Sequence, residues 1–209
     1  DGDFKRPSFI SEAQAPFMTA AEMIWFWDQY CPDPESRADP LAVPWSAGDL
    51  ADLPLTYPDV GATAGTPPPG YRFLRRTSVI GCGRERFEQA AAAGMRFGML
   101  RGAGLRVEST TPTAQEGTDV LGHLGPVSAP CRVVYVVDEP DRRGFAYGTL
   151  PGHAVRGEEL FLVRYNSETD EVIAEVAAFS RPATWWSRLG APMTSLMQKA
   201  IALRYLTAL

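Results

Sequence analysis

The sequence contains few cysteines. Only Cys31, Cys82 and Cys131 occur in 209 residues, and they lie far apart. An odd number at wide spacing argues against a disulfide framework, and no C-x-x-C spacing for a metal or a redox pair is present. Free thiols are typical of a reducing compartment, so we expect a cytoplasmic protein.

Long apolar runs and basic runs are also missing. No segment approaches the ~20 apolar residues that a membrane span requires, and the first residues, DGDFKRPSF, do not resemble a signal peptide. The net charge of −5 and the lack of a Lys/Arg-rich run argue against a nucleic-acid partner. Scarce lysine beside abundant Ala, Arg, Gly and Pro indicates a GC-rich, bacterial genome. Hydrophobic residues make up 45 % of the chain, which is enough for a core.

Residues 1–54 have little strand character and are predicted to be an N-terminal extension. One amphipathic helix is expected over about 20–30, because Thr19 and Glu22 have the spacing of a capping box. Proline and aspartate interrupt every periodic run in 32–56, which predicts an irregular covering segment. The helix is expected to pack on its own domain; a lid over a pocket and a partner-binding surface are the alternatives.

The remaining chain, 55–209, is predicted to form one α+β domain. Strand candidates follow one another at short, turn-punctuated intervals, which indicates an antiparallel meander of about seven strands. A helix is expected over 84–100, and a long C-terminal helix near 189–207. A curved antiparallel sheet wrapped around that last helix would bury its apolar stripe, and a hollow would remain where the sheet curls away. The strand candidates are 71–80, 105–109, 120–124, 131–138, 144–150, 160–165 and 172–179.

Several blocks of this region resemble the DUF1990 family, also called UPF0548. They are LTYPDVGAT (55–63), GYRFLRR (70–76), a block over 131–163 containing GFAYGTLPGH, AFSRPATWW (178–186) and QKAIALRYLTAL (198–209). The family has no settled function. It is grouped with the START/Bet v 1-like helix-grip superfamily, whose members hold apolar ligands or carry out small-molecule chemistry between the sheet and the C-terminal helix. The resemblance therefore implies the same architecture for 55–209.

The stretch 142–151 has the clearest strand pattern in the chain. Phe145, Tyr147 and Thr149 alternate with residues that are mostly small, so one face of this strand leaves room for something to approach the backbone. A Pro-Gly turn then leads to His153 and to Glu158-Glu159. We expect the histidine and both carboxylates to lie just past the end of the strand.

Eight residues are the candidates for a functional site. A histidine near carboxylates can titrate close to neutral pH, and an arginine can hold an anion with two parallel hydrogen bonds. The acid–base candidates are therefore Tyr147, His153 and Glu159, with Arg181 as an anion clamp. The candidates for ligand binding are Phe145, Tyr147, Thr149, Met193 and Met197, the two methionines because they adapt to irregular space.

Each candidate also has a structural alternative. His153 can be a solvated turn residue, and Tyr147 with Thr149 can be a cross-strand pair on the outer face. Arg181 can pair with one of the two adjacent carboxylates and tie two strand ends together. Glu175 is out of phase with the apolar positions of its strand, so the pattern favours solvent exposure; burial beside Arg72 or Arg76 would make it a catalytic candidate.

Three functions remain open from the sequence. The leading hypothesis is a protein that binds an apolar or amphipathic small molecule between the sheet and the C-terminal helix. The second is an acid–base enzyme, such as a cyclase, isomerase or dehydratase of a polyketide-like or other apolar metabolite. The third is an interaction module that uses helix 20–30 and Trp185-Trp186. No metal or other cofactor is predicted, and the sequence leaves the oligomeric state open.

Overall fold

The structure is a computed structural model, and it describes residues 46–124 and 127–183. The predicted helices at 20–30 and 189–207 lie outside the described residues, as do Trp185, Trp186, Met193 and Met197. The division of the chain at residue 54 therefore stays a prediction.

Seven strands form one antiparallel sheet, which confirms the predicted fold class. The spatial order is β1-β7-β6-β5-β4-β3-β2, so every strand except β1 lies beside its neighbour in sequence. Among the described residues, two helices follow β1, and two short 3-10 helices, at Ala47–Leu50 and Ala62–Ala64, precede it. The bounds are β1 Arg72–Cys82, α1 Arg84–Met95, α2 Gly98–Gly102, β2 Arg106–Ser109, β3 Asp119–Leu124, β4 Val127–Glu139, β5 Arg142–Thr149, β6 Val155–Asn166 and β7 Glu171–Pro182.

The helices pack on one face of the sheet, which we call the inner face. Helix α1 approaches the sheet through small residues; a Cβ added at Gly94 would lie 3.8 Å from a methyl group of Val163. Phenylalanines fill the core around this contact, and each fully buried ring contributes about 2–3 kcal/mol. The largest buried side chains of this core are Phe87, Phe97, Phe145 and Phe161.

The predicted helix over 84–100 is wrong in one respect: it is broken into α1 and α2. The break lies at Phe97, whose φ of 62° is in the left-handed region that residues with a side chain rarely adopt. Phe97 is fully buried and its ring meets that of Phe145 edge-on, with the centroids 5.3 Å apart. We infer that this packing offsets the cost of the backbone conformation. Helical periodicity alone does not reveal such a reversal.

The segment 46–64 covers part of the opposite, outer face. Arg132 in β4 binds the end of the first 3-10 helix of this segment. Its guanidinium donates to the carbonyl oxygens of Leu50 (2.6 Å), Ala51 (2.9 Å) and Leu53 (2.9 Å). The Nε of the same side chain pairs with Asp119 at 2.7 Å. The last carbonyls of a short helix lack partners within it, so a cation is well placed there.

Strand β4 bends beside the middle of β5. Val133 pairs with Tyr147 and Tyr135 with Ala146, so one residue of β4 is extra at this point. Such a bulge increases the local twist and bend of a sheet. The sheet therefore has a local bend next to Tyr147, a predicted site residue.

Candidate functional site

Glu158 and Glu159 lie inside a strand rather than past the end of one, so the expected position is wrong. Strand β6 begins at Val155, and its ladder with β5 continues through Tyr147–Glu159 to Gly148–Glu158. Polar residues interrupt the apolar pattern there, but the backbone hydrogen bonds continue. Successive residues of a strand point to opposite faces, so the two carboxylates enter different environments.

On the outer face, Glu158 is fully enclosed by the chain. Only 2 % of it is exposed, and its carboxylate accepts hydrogen bonds from the Tyr57 hydroxyl (2.8 Å), the Gly61 amide (2.7 Å) and the Thr63 amide (3.0 Å). The Thr63 hydroxyl is a fourth donor. We call this arrangement the Glu158 clasp. A buried charge is tolerated when hydrogen bonds replace its lost hydration, so Glu158 fastens segment 57–63 to the sheet.

Segment 57–63 lies against the small-residue face of β5 at Gly148. A Cβ added at Gly148 would lie 2.2 Å from the Tyr57 hydroxyl, so only glycine leaves room for it. The predicted approach to the backbone of this strand is therefore made by the chain's own Tyr57. Burial, together with the Glu158 carboxylate, raises the pKa of Tyr57 well above its ordinary value, so the phenol remains a donor.

On the inner face, Glu159 and Tyr147 form a hydrogen-bonded pair. The Tyr147 hydroxyl donates to the half-buried Glu159 carboxylate at 2.9 Å. Burial raises the pKa of Glu159 to about 7, and this hydrogen bond opposes the rise. The surroundings are apolar: the Tyr147 ring contacts those of Phe161 and Phe145, and the buried thiol of Cys131 has its pKa raised by burial and by Glu159.

Two further candidates have local structural partners. The Thr149 hydroxyl accepts from the Gly157 amide at 3.0 Å and lies 2.6 Å from the Thr56 hydroxyl, between the ends of β5 and β6. His153 lies in the turn before β6, where its Nδ1 accepts the Val155 amide hydrogen at 3.1 Å. Burial lowers the pKa of His153 to about 4, so the imidazole is neutral near pH 7.

Arg181 also lies apart from the inner-face pair. Its guanidinium carbon is 4.8 Å from the centre of the Tyr71 ring. Tyr71 in turn meets the fully buried Phe179 edge-on, and Phe179 is the β7 partner of Glu158 on the outer face. Of the four acid–base candidates, the structure therefore brings together Tyr147 and Glu159 only.

Glu175 is buried, which corrects the expectation that it faces solvent. The alternation did place it on the outer face, but only 6 % of it is exposed because arginines cover it. Its carboxylate pairs with the Nε of Arg75 at 3.1 Å and with that of Arg164 at 2.9 Å. Both are ion pairs between neighbouring strands, β7 with β1 and β7 with β6. The partners of Glu175 are therefore Arg75 and Arg164, and not Arg72 or Arg76, which the sequence analysis considered for a catalytic role.

Sequence reasoning did not find the donors of the Glu158 clasp. Tyr57, Gly61 and Thr63 all occur in the LTYPDVGAT block, which carries the family resemblance but does not by itself indicate a contact with Glu158. The backbone of Gly61 has a left-handed φ of 84°, a conformation that favours glycine, and this glycine is the local sequence signal for the turn.

Within the part of the chain that the structure covers, no three His, Cys, Asp or Glu side chains are grouped to hold a metal ion. No helix in those residues is both long and apolar enough to cross a membrane.

Comparisons with known proteins agree with the resemblance seen in the sequence. A family profile described as "Domain of unknown function (DUF1990)" matches residues 56–208. A UPF0548 protein of Deinococcus radiodurans is 36 % identical over 165 residues, which cover 72 % of this chain and 83 % of that protein. A UPF0548 protein of Arabidopsis thaliana is 32 % identical over 142 residues, or 64 % of this chain and 69 % of that one. Relatives therefore occur in a plant as well as in a bacterium.

Solved structures are similar at the level of the fold. A hypothetical protein of Helicobacter pylori aligns with a TM-score of 0.51 and 9 % identity, over 66 % of this chain and 89 % of that one. Norcoclaurine synthase from Thalictrum flavum, in complex with dopamine and hydroxybenzaldehyde, aligns with a TM-score of 0.44 and 14 % identity, over 72 % and 93 %. The predicted family and the predicted antiparallel sheet of about seven strands are confirmed. At such low identity, the likeness to these structures concerns the fold alone.

Proposed function

The chain belongs to the DUF1990 (UPF0548) family, and from that premise we propose that the inner face of its sheet binds an apolar or amphipathic small molecule beside Tyr147 and Glu159. The observation that supports this most is the contrast between two adjacent glutamates. Glu158 has four donors and holds the chain together, whereas the described part of the chain supplies Glu159 with one donor, the Tyr147 hydroxyl. Counted over the described residues, Glu159 thus has hydrogen-bonding capacity left in apolar surroundings, which is typical of a ligand site.

The pKa of Glu159 suggests which ligands suit the site. With a value of about 7, the carboxyl group is present in both forms at neutral pH. The protonated form donates to a carbonyl oxygen, and the ionised form accepts from a phenol or an alcohol. The rings of Phe145 and Phe161 contact each other and the Tyr147 ring, so the hydrogen-bonded pair has aromatic surroundings. An aromatic or aliphatic molecule with one or two oxygen functions fits these features best.

Binding can be located by NMR titration of the full chain. The probes are 8-anilinonaphthalene-1-sulfonate, lauric acid and 2-naphthol, and the signals are the Val133 methyl groups and the Tyr147 ring on the inner face. We expect saturable shifts there for at least one probe. The methyl groups of Leu160 and Leu162, which lie on the outer face, are the internal control. Shifts that do not saturate, or that are confined to the outer face, would contradict the proposal.

Acid–base catalysis is the second candidate, and the near-neutral pKa of Glu159 is what favours it. A general base works best when its pKa is close to the working pH. Tyr147 can hold the carboxyl group in place. His153 instead contacts the Val155 backbone, and Arg181 stacks on Tyr71 at the outer face. The test is exchange of solvent deuterium into the positions next to the carbonyl group of 2-tetralone. Exchange that Glu159→Gln abolishes supports catalysis; equal exchange with and without the protein excludes it for this ketone.

A further inference from the structure

Two arginines lie directly opposite each other where strand β6 begins and strand β7 ends. Arg156 in β6 and Arg181 in β7 are direct partners in the antiparallel ladder, and both are exposed. Residues directly opposite in such a ladder project from the same face, and like charges at these positions destabilise the sheet. The pair therefore lowers stability unless a negative charge lies between the two guanidinium groups.

No carboxylate in the described part of the chain supplies that charge. Glu158, two residues from Arg156, directs its oxygens to the donors of the clasp. Arg75 and Arg164, farther along the same face, share the buried Glu175 instead. The other arginines of this face are thus neutralised by the fold, and the opposed pair is not.

An aromatic platform orients one member of the pair. The Arg181 guanidinium stacks on Tyr71, whose ring meets Phe179 edge-on with centroids 5.1 Å apart. A stacked guanidinium keeps its N–H edge available for hydrogen bonds. The Tyr71 hydroxyl is shielded from solvent and has no hydrogen-bond partner among the described residues. Phe73, the next outer-face residue of β1, is 46 % exposed and extends the platform as an apolar surface.

We propose that Arg156 and Arg181 bind a phosphate group, carried by a small organic phosphate or by a phospholipid headgroup. A phosphate monoester has a charge of about −1.5 to −2 at pH 7, which matches two guanidinium groups, whereas a carboxylate neutralises only one of them. The planar fork of arginine also fits phosphate oxygens in pairs. This site is on the outer face and is independent of the proposed inner-face ligand site.

The test is an NMR titration of the full chain with inorganic phosphate and with phenyl phosphate, and with sodium acetate at the same ionic strength. We expect saturable shifts of the amides of Arg156 and Arg181 with both phosphates and weaker effects with acetate. The double variant Arg156→Gln/Arg181→Gln should weaken phosphate binding by about tenfold or more, because charge-assisted hydrogen bonds are lost. Arg76→Gln removes an exposed charge elsewhere on β1 and should bind like the wild type.

A stability measurement separates binding from a structural role. If the two arginines serve only the fold, the double variant should melt at a lower temperature than the wild type. If they form a site, the variant should melt at the same or a higher temperature, because like-charge repulsion is removed. Absence of saturable phosphate shifts, or equal phosphate affinity in the wild type and the double variant, would overturn the proposal.

The source of the phosphate is distinguished by sedimentation with vesicles. Phosphatidylcholine vesicles are compared with and without phosphatidic acid, for the wild type and the double variant. Co-sedimentation that requires both phosphatidic acid and the two arginines identifies a lipid headgroup. Phosphate binding in solution without such co-sedimentation identifies a soluble organic phosphate. Either result supports the site, and the titration above decides whether it exists.

Discussion

Replacing Glu158 with alanine is expected to lower the free energy of unfolding by about 3–5 kcal/mol. The carboxylate is 2 % exposed and satisfies four donors, from Tyr57, Gly61 and Thr63. Each buried donor left without an acceptor costs about 1–3 kcal/mol, and water entering the cavity recovers part of the sum. The measurement is urea denaturation of the variant and the wild type at pH 7, followed by circular dichroism.

Two milder variants keep this prediction testable if Glu158→Ala does not fold. Tyr57→Phe removes one donor and leaves three, so we expect a loss of about 1–2 kcal/mol. Glu158→Gln preserves shape but directs an NH2 group toward donors, so its cost should be close to that of alanine. A loss below about 1 kcal/mol for Glu158→Ala, the size of an ordinary surface change, would mean that the clasp does not hold segment 57–63 to the sheet.

The strands were the most predictable part of this fold. Alternation placed Phe145 and Tyr147 on one face of β5 and Glu175 on the face opposite its apolar neighbours, and the structure agrees on both points. This works because a pleated strand has a fixed period of two, so the face of each residue follows from its position. Turn residues between the strands then gave the number of strands and their antiparallel order.

The environment of each residue was less predictable. Tyr57 and Glu158 are 101 positions apart, and no local pattern encodes a contact at that separation. The polar run Arg156-Gly-Glu-Glu159 breaks the apolar alternation, so the start of β6 was placed too late. Glu175 was assigned correctly to the outer face but wrongly to solvent, because its burial depends on arginines from β1 and β6. Periodicity gives the face of a side chain, whereas tertiary partners decide its burial and its pKa.

The second large effect is expected at Glu159, in the dependence of stability on pH. Its pKa is raised from 4.5 to about 7 in the folded protein, so between these values the folded state binds more protons than the unfolded state. The contribution of Glu159 to stability is therefore fully present below pH 4.5 and is lost as the pH rises through 7. At 1.36 kcal/mol per pKa unit, the loss amounts to about 3 kcal/mol.

Glu159→Gln should remove this dependence, because the amide does not titrate and its oxygen still accepts from the Tyr147 hydroxyl. The variant minus wild-type difference in unfolding free energy should rise by about 3 kcal/mol between pH 4.5 and 8 and then level off. His123 and His153, whose pKa values are lowered by burial, contribute a trend of opposite sign. Since both histidines are present in each protein, their contribution cancels in the difference.

Tyr147→Phe tests the cause of the shift rather than its existence. The Tyr147 hydrogen bond lowers the pKa of Glu159 and so opposes the effect of burial. Its removal should move the pKa higher, and stability should keep falling beyond pH 8, where the wild-type contribution levels off. The carbon-13 shift of the Glu159 carboxyl group reports the same midpoint directly. A wild-type midpoint near 4.5, or a Glu159→Gln difference that is flat with pH, would show that the carboxyl group is hydrated, and the inner-face ligand site would lose its main support.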